Sequence, residues 1–520
     1  MNGPRKLLLA VMFVILAASF SAASDIYIAQ NAAGANTGAD CADAHSASWF
    51  NTSSNWGTGA GQIGPGDTAH VCSGTFSFPA GTVCGLSFQG SGSSGSPVTL
   101  IADQGAVTIT APYWAGSQNG GPICSSGFSW ITINGDNNLT LQASANGTNL
   151  ANKADYGFGV WAYTGDNVTI ENLTVSNIYV HACAEPISGC TDEGGQNTGG
   201  IAAQGSNVTI SGNTVHDAKW CITGGVGGSV TVANRSIHDN TIYNCDHGVA
   251  VGVGGNNGVL NGLSIYNNTI HDFQNWDDAA NNNHHDGIHI WSYNAGDSIT
   301  GALVYNNYIY GNWGAGMNSA LFAEAMTGLP GAHYFNNVIV DQSTVSHNGC
   351  GDICLEVNGV AVLNNTIDNS GAVGGGAVAI NNYGTNVLVE NNTINGASEA
   401  LGFSSGGSWT TIDYNNYYNI GGSGWNQSGS FSGWQSSCSC DSHSAVANPS
   451  LGSNHIPTSS STALIQKGAN MSGLSISALN LDKAGLTRPS EPTNWDIGAY
   501  QYNSGSTAPN PPTGLGAIVQ

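Results

Sequence analysis

Apolar residues along this chain fall into short alternating runs, each closed by a turn, and the runs recur at a near-constant spacing. The clearest series reads Leu173-Thr174-Val175, Asn213-Thr214-Val215, Asn240-Thr241-Ile242, Asn268-Thr269-Ile270, Asn307-Tyr308-Ile309, Asn337-Val338-Ile339, Asn365-Thr366-Ile367, Asn392-Thr393-Ile394 and Asn416-Tyr417-Tyr418. Successive members start 40, 27, 28, 39, 30, 28, 27 and 24 residues apart. A period of this size predicts stacked units rather than one rounded core. Each period also holds an alternating strand such as Asn207-Val208-Thr209-Ile210 before the triplet and a third strand such as Gly248-Val249-Ala250-Val251 after it. Three short strands per turn, with no helical period, predict an all-β fold: a single-stranded right-handed parallel β-helix, a solenoid with N-terminal and C-terminal capping regions. Each strand would pair with its equivalent one turn on, so the pairing is parallel.

The paired asparagines, such as Asn267-Asn268 and Asn364-Asn365, fit the corners of such a coil. Asparagine tolerates a left-handed backbone, and an amide stacked on the next amide satisfies polar groups inside the coil. On this reading most Asn-x-Ser/Thr triplets are structural rather than glycosylation sites.

The period divides the chain. Residues 1–23 read as a secretory signal peptide, with Arg5 and Lys6 before the apolar stretch Leu7 to Phe20 and a small-residue site at Ser21-Ala22-Ala23. That stretch is too short and wrongly flanked for a membrane span. Residues 24–125 read as an N-terminal cap with the first rungs, including strands at Asp25-Ile26-Tyr27-Ile28-Ala29 and Pro97-Val98-Thr99-Leu100-Ile101. Residues 126–420 carry the β-helix repeats, 421–505 a closing segment and 506–520 a Pro-rich tail. The expected location is extracellular.

Charge narrows the partners. Without the leader the chain has six Lys and Arg against 32 Asp and Glu, a formal charge of −26. Such a chain repels nucleic acid and anionic membranes; a soluble monomer with no membrane insertion is expected. The 12 cysteines, an even number behind a leader, predict disulfides. Cys221 and Cys245 occupy nearly matching positions in adjacent repeats, within disulfide reach for stacked strands. Cys183 with Cys190, Cys350 with Cys354, and Cys72 with Cys84 are candidate loop staples.

Through the Asn-Asn-x-Ile rungs of residues 125–420, the chain resembles secreted right-handed parallel β-helix proteins of the pectate-lyase-like superfamily. The ending, from Asp482 through Arg488-Pro489 to Asp496-Ile497-Gly498-Ala499-Tyr500, also looks like the closing segment of bacterial secreted members. The resemblance implies the fold. It leaves the activity open, because the superfamily includes lyases, hydrolases, epimerases, adhesins and tailspikes.

Two rungs are swollen, one from about His181 to Gly199 and one from Phe273 to Asp286, both after the triplet strand and on the same edge of the coil. The second contains Asp277-Asp278 and leads into His284-His285-Asp286-Gly287-Ile288-His289-Ile290-Trp291. With Ile288 and Ile290 inward, alternation turns His289 and Trp291 outward. The next rungs add Phe322 with Glu324 and Glu356 with Asn358; the rung before adds Asp246-His247. Asp286, His285, His289, Glu324 and Glu356 are the candidate catalytic groups. Trp291, Phe322, Asn358, Asp277, Asp278, Asp246 and His247 are candidate substrate contacts. An aromatic plate beside carboxylates and imidazoles suits a polysaccharide. His285, Asp286 and His289 also offer donors that suit zinc or manganese, although adjacent histidines match no standard ligand spacing. The pattern requires no cofactor; calcium is compatible with it, as lyases of the superfamily often use it.

A hydrolase needs two carboxylates about a glycosidic bond, which this patch can supply. A uronate lyase wants cations near the substrate carboxylate, and the repeats offer only Lys153, Lys219 and Arg235. The polygalacturonase pattern of Asn-Thr-Asp and Gly-His-Gly is absent, with Asp246-His247-Gly248 a faint echo. The reading is a secreted β-helix that binds, and as hydrolase or lyase cleaves, an extracellular polysaccharide. The alternative is a non-catalytic adhesin or carbohydrate-binding rod.

Overall fold

The computed structural model describes residues 23–504 except 115–119, 147–156, 180–197, 278–283, 326–328, 330, 348, 373–376 and 404–405. The expected leader to residue 22, Cys183, Cys190, Asp278, Lys153 and the 506–520 tail therefore lie outside the described residues. Strand follows strand from Asp25 to Val446, and every named strand pairing is parallel. The coil is a right-handed parallel β-helix, with the crossover sense that parallel strands adopt.

Each rung contributes one inward apolar residue to each of three columns. On the first sheet the column runs Ile170, Ile210, Ile237, Ile265, Val304, Tyr334, Val362, Val389, Ile412. On the second it runs Val175, Val215, Ile242, Ile270, Ile309, Ile339, Ile367, Ile394, Tyr417. On the third it runs Val160, Ile201, Ile222, Val249, Ile288, Leu321, Ile353, Ile380, Leu401. All are buried, and β-branched residues dominate because they pack well on a pleated sheet. Burying each such side chain is worth about 1.5–3 kcal/mol.

The corner between the first and second sheets is polar, and two neighbouring residues divide the work. The first of each pair takes the left-handed backbone, with φ of 55° at Asn267, 57° at Asn306, 54° at Asn336, 53° at Asn364 and 61° at Asn391. The second turns inward and forms a ladder through Asn213, Asn240, Asn268, Asn307, Asn337, Asn365, Asn392 and Asn415. Each Nδ2 donates to the next Oδ1 at 3.0–3.1 Å. It also donates to a main-chain carbonyl of the rung before, as Asn307 does to Ile265 O at 3.0 Å. Each Oδ1 also accepts the main-chain N–H of the preceding Asn, as Asn307 does from Asn268 at 3.1 Å. At the last rung the ladder member is Asn415, because Asn416 pairs with Thr393. The final interval is thus one residue shorter than the triplets suggested.

Ten described cysteines form five disulfides, which fit an oxidising compartment. Cys221 joins Cys245 and Cys350 joins Cys354. The expected Cys72–Cys84 staple is not formed: Cys72 joins Cys41 and Cys84 joins Cys124, each to a neighbouring strand or turn of the coil. Sequence proximity misled here because the coil brings residues 31 and 40 positions apart next to each other. Cys438 joins Cys440.

The short helix Ala47–Phe50 packs Phe50 against Trp56 and Phe88 at the N-terminal end. The helix Phe431–Cys438 covers the last rung, with Tyr417 Oη and Trp434 Nε1 both donating to Asp441 Oδ2. The Asp496–Tyr500 segment was expected to close the coil; it lies along its flank instead. Asn364 Nδ2 donates to Asp496 O, Ala499 N donates to Thr366 Oγ1, and Arg488 donates to Asn336 Oδ1. The corner asparagines of two rungs, Asn336 and Asn364, thereby gain partners. No helix among the described residues is long and apolar enough to cross a membrane.

The two halves of the corner pair should respond differently to mutation. Asn307→Ala strips partners from the buried carbonyl of Ile265 and the buried N–H of Asn268, and should cost about 3–5 kcal/mol. Asn267→Gly keeps the left-handed turn and should cost a few tenths. Denaturant midpoints of the two variants, disulfides intact, check the contrast.

Candidate functional site

The candidate site lies on the third sheet, where the strand register slips once. Strand His285–Ser292 pairs with Thr241–Val253 on one side and Met317–Ala325 on the other, and the latter pairing shifts between His285 and Asp286. Two adjacent side chains on this strand meet different partners. His285 is fully buried; its Nδ1 bonds Asp246 Oδ1 at 2.8 Å and its Nε2 lies 3.4 Å from Asp277 Oδ1. Asp286, also fully buried, meets three other imidazoles.

Those three rings converge on one oxygen. Asp286 Oδ2 lies 2.6 Å from His284 Nδ1, 3.3 Å from His247 Nε2 and 3.6 Å from His289 Nδ1. Asn318 Nδ2 donates to Asp286 Oδ1 at 3.3 Å. The four converging donor atoms lie within 4.8 Å of one another. The far sides of two rings are held as well: His247 Nδ1 bonds Asp246 Oδ2 at 2.9 Å and His289 Nε2 bonds Glu324 Oε2 at 3.2 Å. His289 is stacked on Phe322 at 4.6 Å between ring centres, with Trp291 tilted against it at 4.6 Å.

Electrostatics follow from this packing. Burial penalises the charge on His247, yet Asp246 and Asp286 hold its pKa up to about 9. Burial likewise works against His285, which Asp246 and Asp277 hold up to about 10. Both Asp246 and Asp286 stay well below the carboxylate range despite burial, because imidazoles surround them. Burial lowers His289. The hydrogen bond from His289 lowers Glu324, while burial and the neighbouring Glu324 raise Glu356.

The expected metal trio therefore changes. His285 is not part of the convergent group, being taken up by Asp246 and Asp277; His247 and His284 stand there with Asp286 and His289. His284 lay in plain sight in the sequence, but with strand alternation broken at the bulge nothing favoured it over His285. Asp246 is completely buried and holds two imidazoles, so it is not on the surface where a substrate could touch it. Asp277 accepts the main-chain N–H groups of Ala315 and Gly316 at 2.6 and 2.7 Å and anchors the described start of the insertion. Calcium, which takes 6–8 oxygen ligands, does not suit a group of three imidazoles and one carboxylate.

The outward face lies beside this group. Trp291 pairs in register with Glu324, and Glu324 with Glu356 on the following rung. Glu324 is partly exposed and Glu356 exposed. The Trp291 indole lies over Gly252 of the rung before, where a Cβ would meet Trp291 Cε2 at 2.0 Å; only glycine lets the ring lie there. Trp220, which no sequence signal singled out, sits 6.0 Å from both Trp291 and His247. Asn358 is exposed, and its Oδ1 accepts from Thr385 N and Oγ1. A separate groove of about 400 Å³ on the first sheet has Arg235 as its one charged lining residue, and that guanidinium is committed to the carbonyls of Gly205 and Gly224.

No protein-family model matches the chain, and no curated protein matches it in sequence. Solved structures match it in shape. Pectate lyase Pel9A is 14% identical, covering 93% of this chain and 98% of that one with a TM-score of 0.43. XylC, in complex with xylose, is 11% identical, covering 92% and 98% with a TM-score of 0.46. The A-module of the Azotobacter vinelandii mannuronan C-5 epimerase AlgE4 is 16% identical, covering 74% and 91% with a TM-score of 0.38. At these identities the likeness is one of fold.

A second buried carboxylate cluster neighbours the site. Asp341 Oδ2 bonds His347 Nε2 at 2.8 Å, and fully buried Asp352 accepts from Asn369 Nδ2 at 2.6 Å. Burial and the charge of Asp341 push Asp352 up to about 7, with His347 opposing. Between about pH 4 and 7 the folded chain keeps a proton that the unfolded chain has lost, so stability falls as pH rises through that window. Asp352→Asn removes the titration. Its melting temperature should exceed the parent's at pH 8 and draw level near pH 4, a difference of up to about 4 kcal/mol in stability.

Proposed function

We propose that the chain hydrolyses a polysaccharide laid across the outer face of the third sheet, with Glu324 and Glu356 as the reacting pair. The observation that carries this reading is their in-register pairing on successive rungs, directly after Trp291 in the same column. Strand neighbours stand about 4.8 Å apart, close to the separation of about 5–5.5 Å used by hydrolases that retain configuration. Trp291 offers an aromatic plate for a sugar ring, flanked by exposed Tyr293.

Burial and the charge of Glu324 favour the protonated form of Glu356, which suits it as the acid. It donates its proton to the glycosidic oxygen as the C–O bond breaks, and Glu324 attacks the anomeric carbon. Water then displaces Glu324 while Glu356 takes back a proton. His289 positions Glu324 through its Nε2–H. Lysis of a uronate is less supported: Lys219 and Arg235 are both buried, and the formal charge of −24 disfavours an anionic polymer. A neutral polysaccharide is therefore the favoured substrate.

A panel of neutral and uronate polysaccharides, assayed for reducing ends and for unsaturated products, tests the reading. Glu324→Gln and Glu356→Gln should each lower kcat about 10²–10⁴-fold, with the anomer of the first product matching the substrate. Trp291→Ala should act mainly on KM, raising it about 2–10-fold. Unsaturated products would point to a lyase instead, and binding without cleavage to a carbohydrate-binding rod.

A further inference from the structure

We infer that His247, His284, Asp286 and His289 bind one divalent transition-metal ion, with zinc the best fit. Three features of the group converge on this. Its members are three imidazoles and one carboxylate, the nitrogen-rich donor set that suits zinc and its neighbours and not calcium. Its spacing is close to that of a tetrahedral ion. Zinc–ligand bonds of about 2.0–2.1 Å separate donors by about 3.3 Å, and His247 Nε2 and His289 Nδ1 stand 3.3 and 3.6 Å from Asp286 Oδ2; His284 Nδ1, at hydrogen-bond distance of 2.6 Å, draws back to join them as a ligand. Its outer partners fix which nitrogen faces inward. Asp246 takes the Nδ1–H of His247 and leaves Nε2 as the ligand atom; Glu324 takes the Nε2–H of His289 and leaves Nδ1. Carboxylates behind metal-bound histidines are the usual means of setting tautomer and orientation. Asn318 supports the remaining oxygen of Asp286 in the same way.

The rival account is that protons alone hold the group together, with ring N–H groups donating to Asp286. Protonated rings crowded around one carboxylate would repel each other; one dication replaces those protons and takes up the inward lone pairs. The histidines come from two rungs, and the unshifted register between those rungs sets Asp286 directly beside His247. This inference does not rest on the polysaccharide reading.

The test uses the full chain, expressed with its disulfides and without a histidine tag. After chelator treatment and dialysis it is reloaded with zinc, cobalt or calcium chloride. Elemental analysis should return one zinc per chain, cobalt should give the visible absorption of a tetrahedral nitrogen–oxygen site, and zinc but not calcium should raise the melting temperature by several degrees. His284→Ala should abolish all three responses while leaving the circular dichroism spectrum intact, since that side chain is 42% exposed. Asp286→Asn should weaken zinc at least tenfold. No zinc retained by the parent chain, or undiminished zinc in His284→Ala, would overturn the site. Glu356→Gln separates this inference from the hydrolase reading: it should lose turnover and keep its zinc.

Discussion

In-register stacking of the corner asparagines is the constraint on which the rest of this molecule depends. Each amide ties three consecutive rungs together, bonding back to a carbonyl and forward to the next amide. The interior corner therefore has one permitted geometry, repeated without drift. The step from Asn268 to Asn307 spans 39 residues and that from Asn240 to Asn268 spans 28, yet both amide contacts are 3.0 Å. Extra residues must be accommodated elsewhere, and in sequence they fall between the second sheet and the third. A rigid corner thus permits a variable edge, a common division of labour between scaffold and loops.

That edge is where polar groups are buried. A parallel coil has little reason to place Asp246, His285 and Asp286 in its interior unless each is paired, because unpaired charges in low dielectric are costly. Here each carboxylate serves more than one imidazole. The result is a preorganised block that fixes the His289 ring, and through it Glu324, without help from a loop. Rungs on either side contribute small residues at the points of closest approach, Gly252 beneath Trp291 being the clearest.

The period of Asn-Thr-Ile triplets made the coil, its three sheets and the in-register columns legible before any coordinates, because each depends on local alternation and a repeat length. The same alternation turned His289, Trp291, Glu324 and Glu356 toward one face, and the strand register agrees. It failed at His285 and Asp286, where a bulge breaks the two-residue period that the inference used. It failed again for Cys72 and Cys84, whose partners are set by stacking and not by nearness in the chain. The flank position of the Asp496–Tyr500 segment was equally hidden, since nothing in an aperiodic stretch says which repeated corner it will meet.

His289 joins the two chemical centres, and its geometry decides how they can influence each other. One nitrogen faces the convergent group and the other Glu324, while Phe322 stacks on the ring and Trp291 packs against it at a tilt. The ring cannot turn away without losing its stacking on Phe322. A change of charge at Asp286 is therefore felt at Glu324 as a change in the hydrogen bond it accepts, with no strand or loop required to move. The coupling is electrostatic and short, and it exists because two residues 35 positions apart in the chain are held on adjacent rungs by the asparagine corner on the opposite side of the coil.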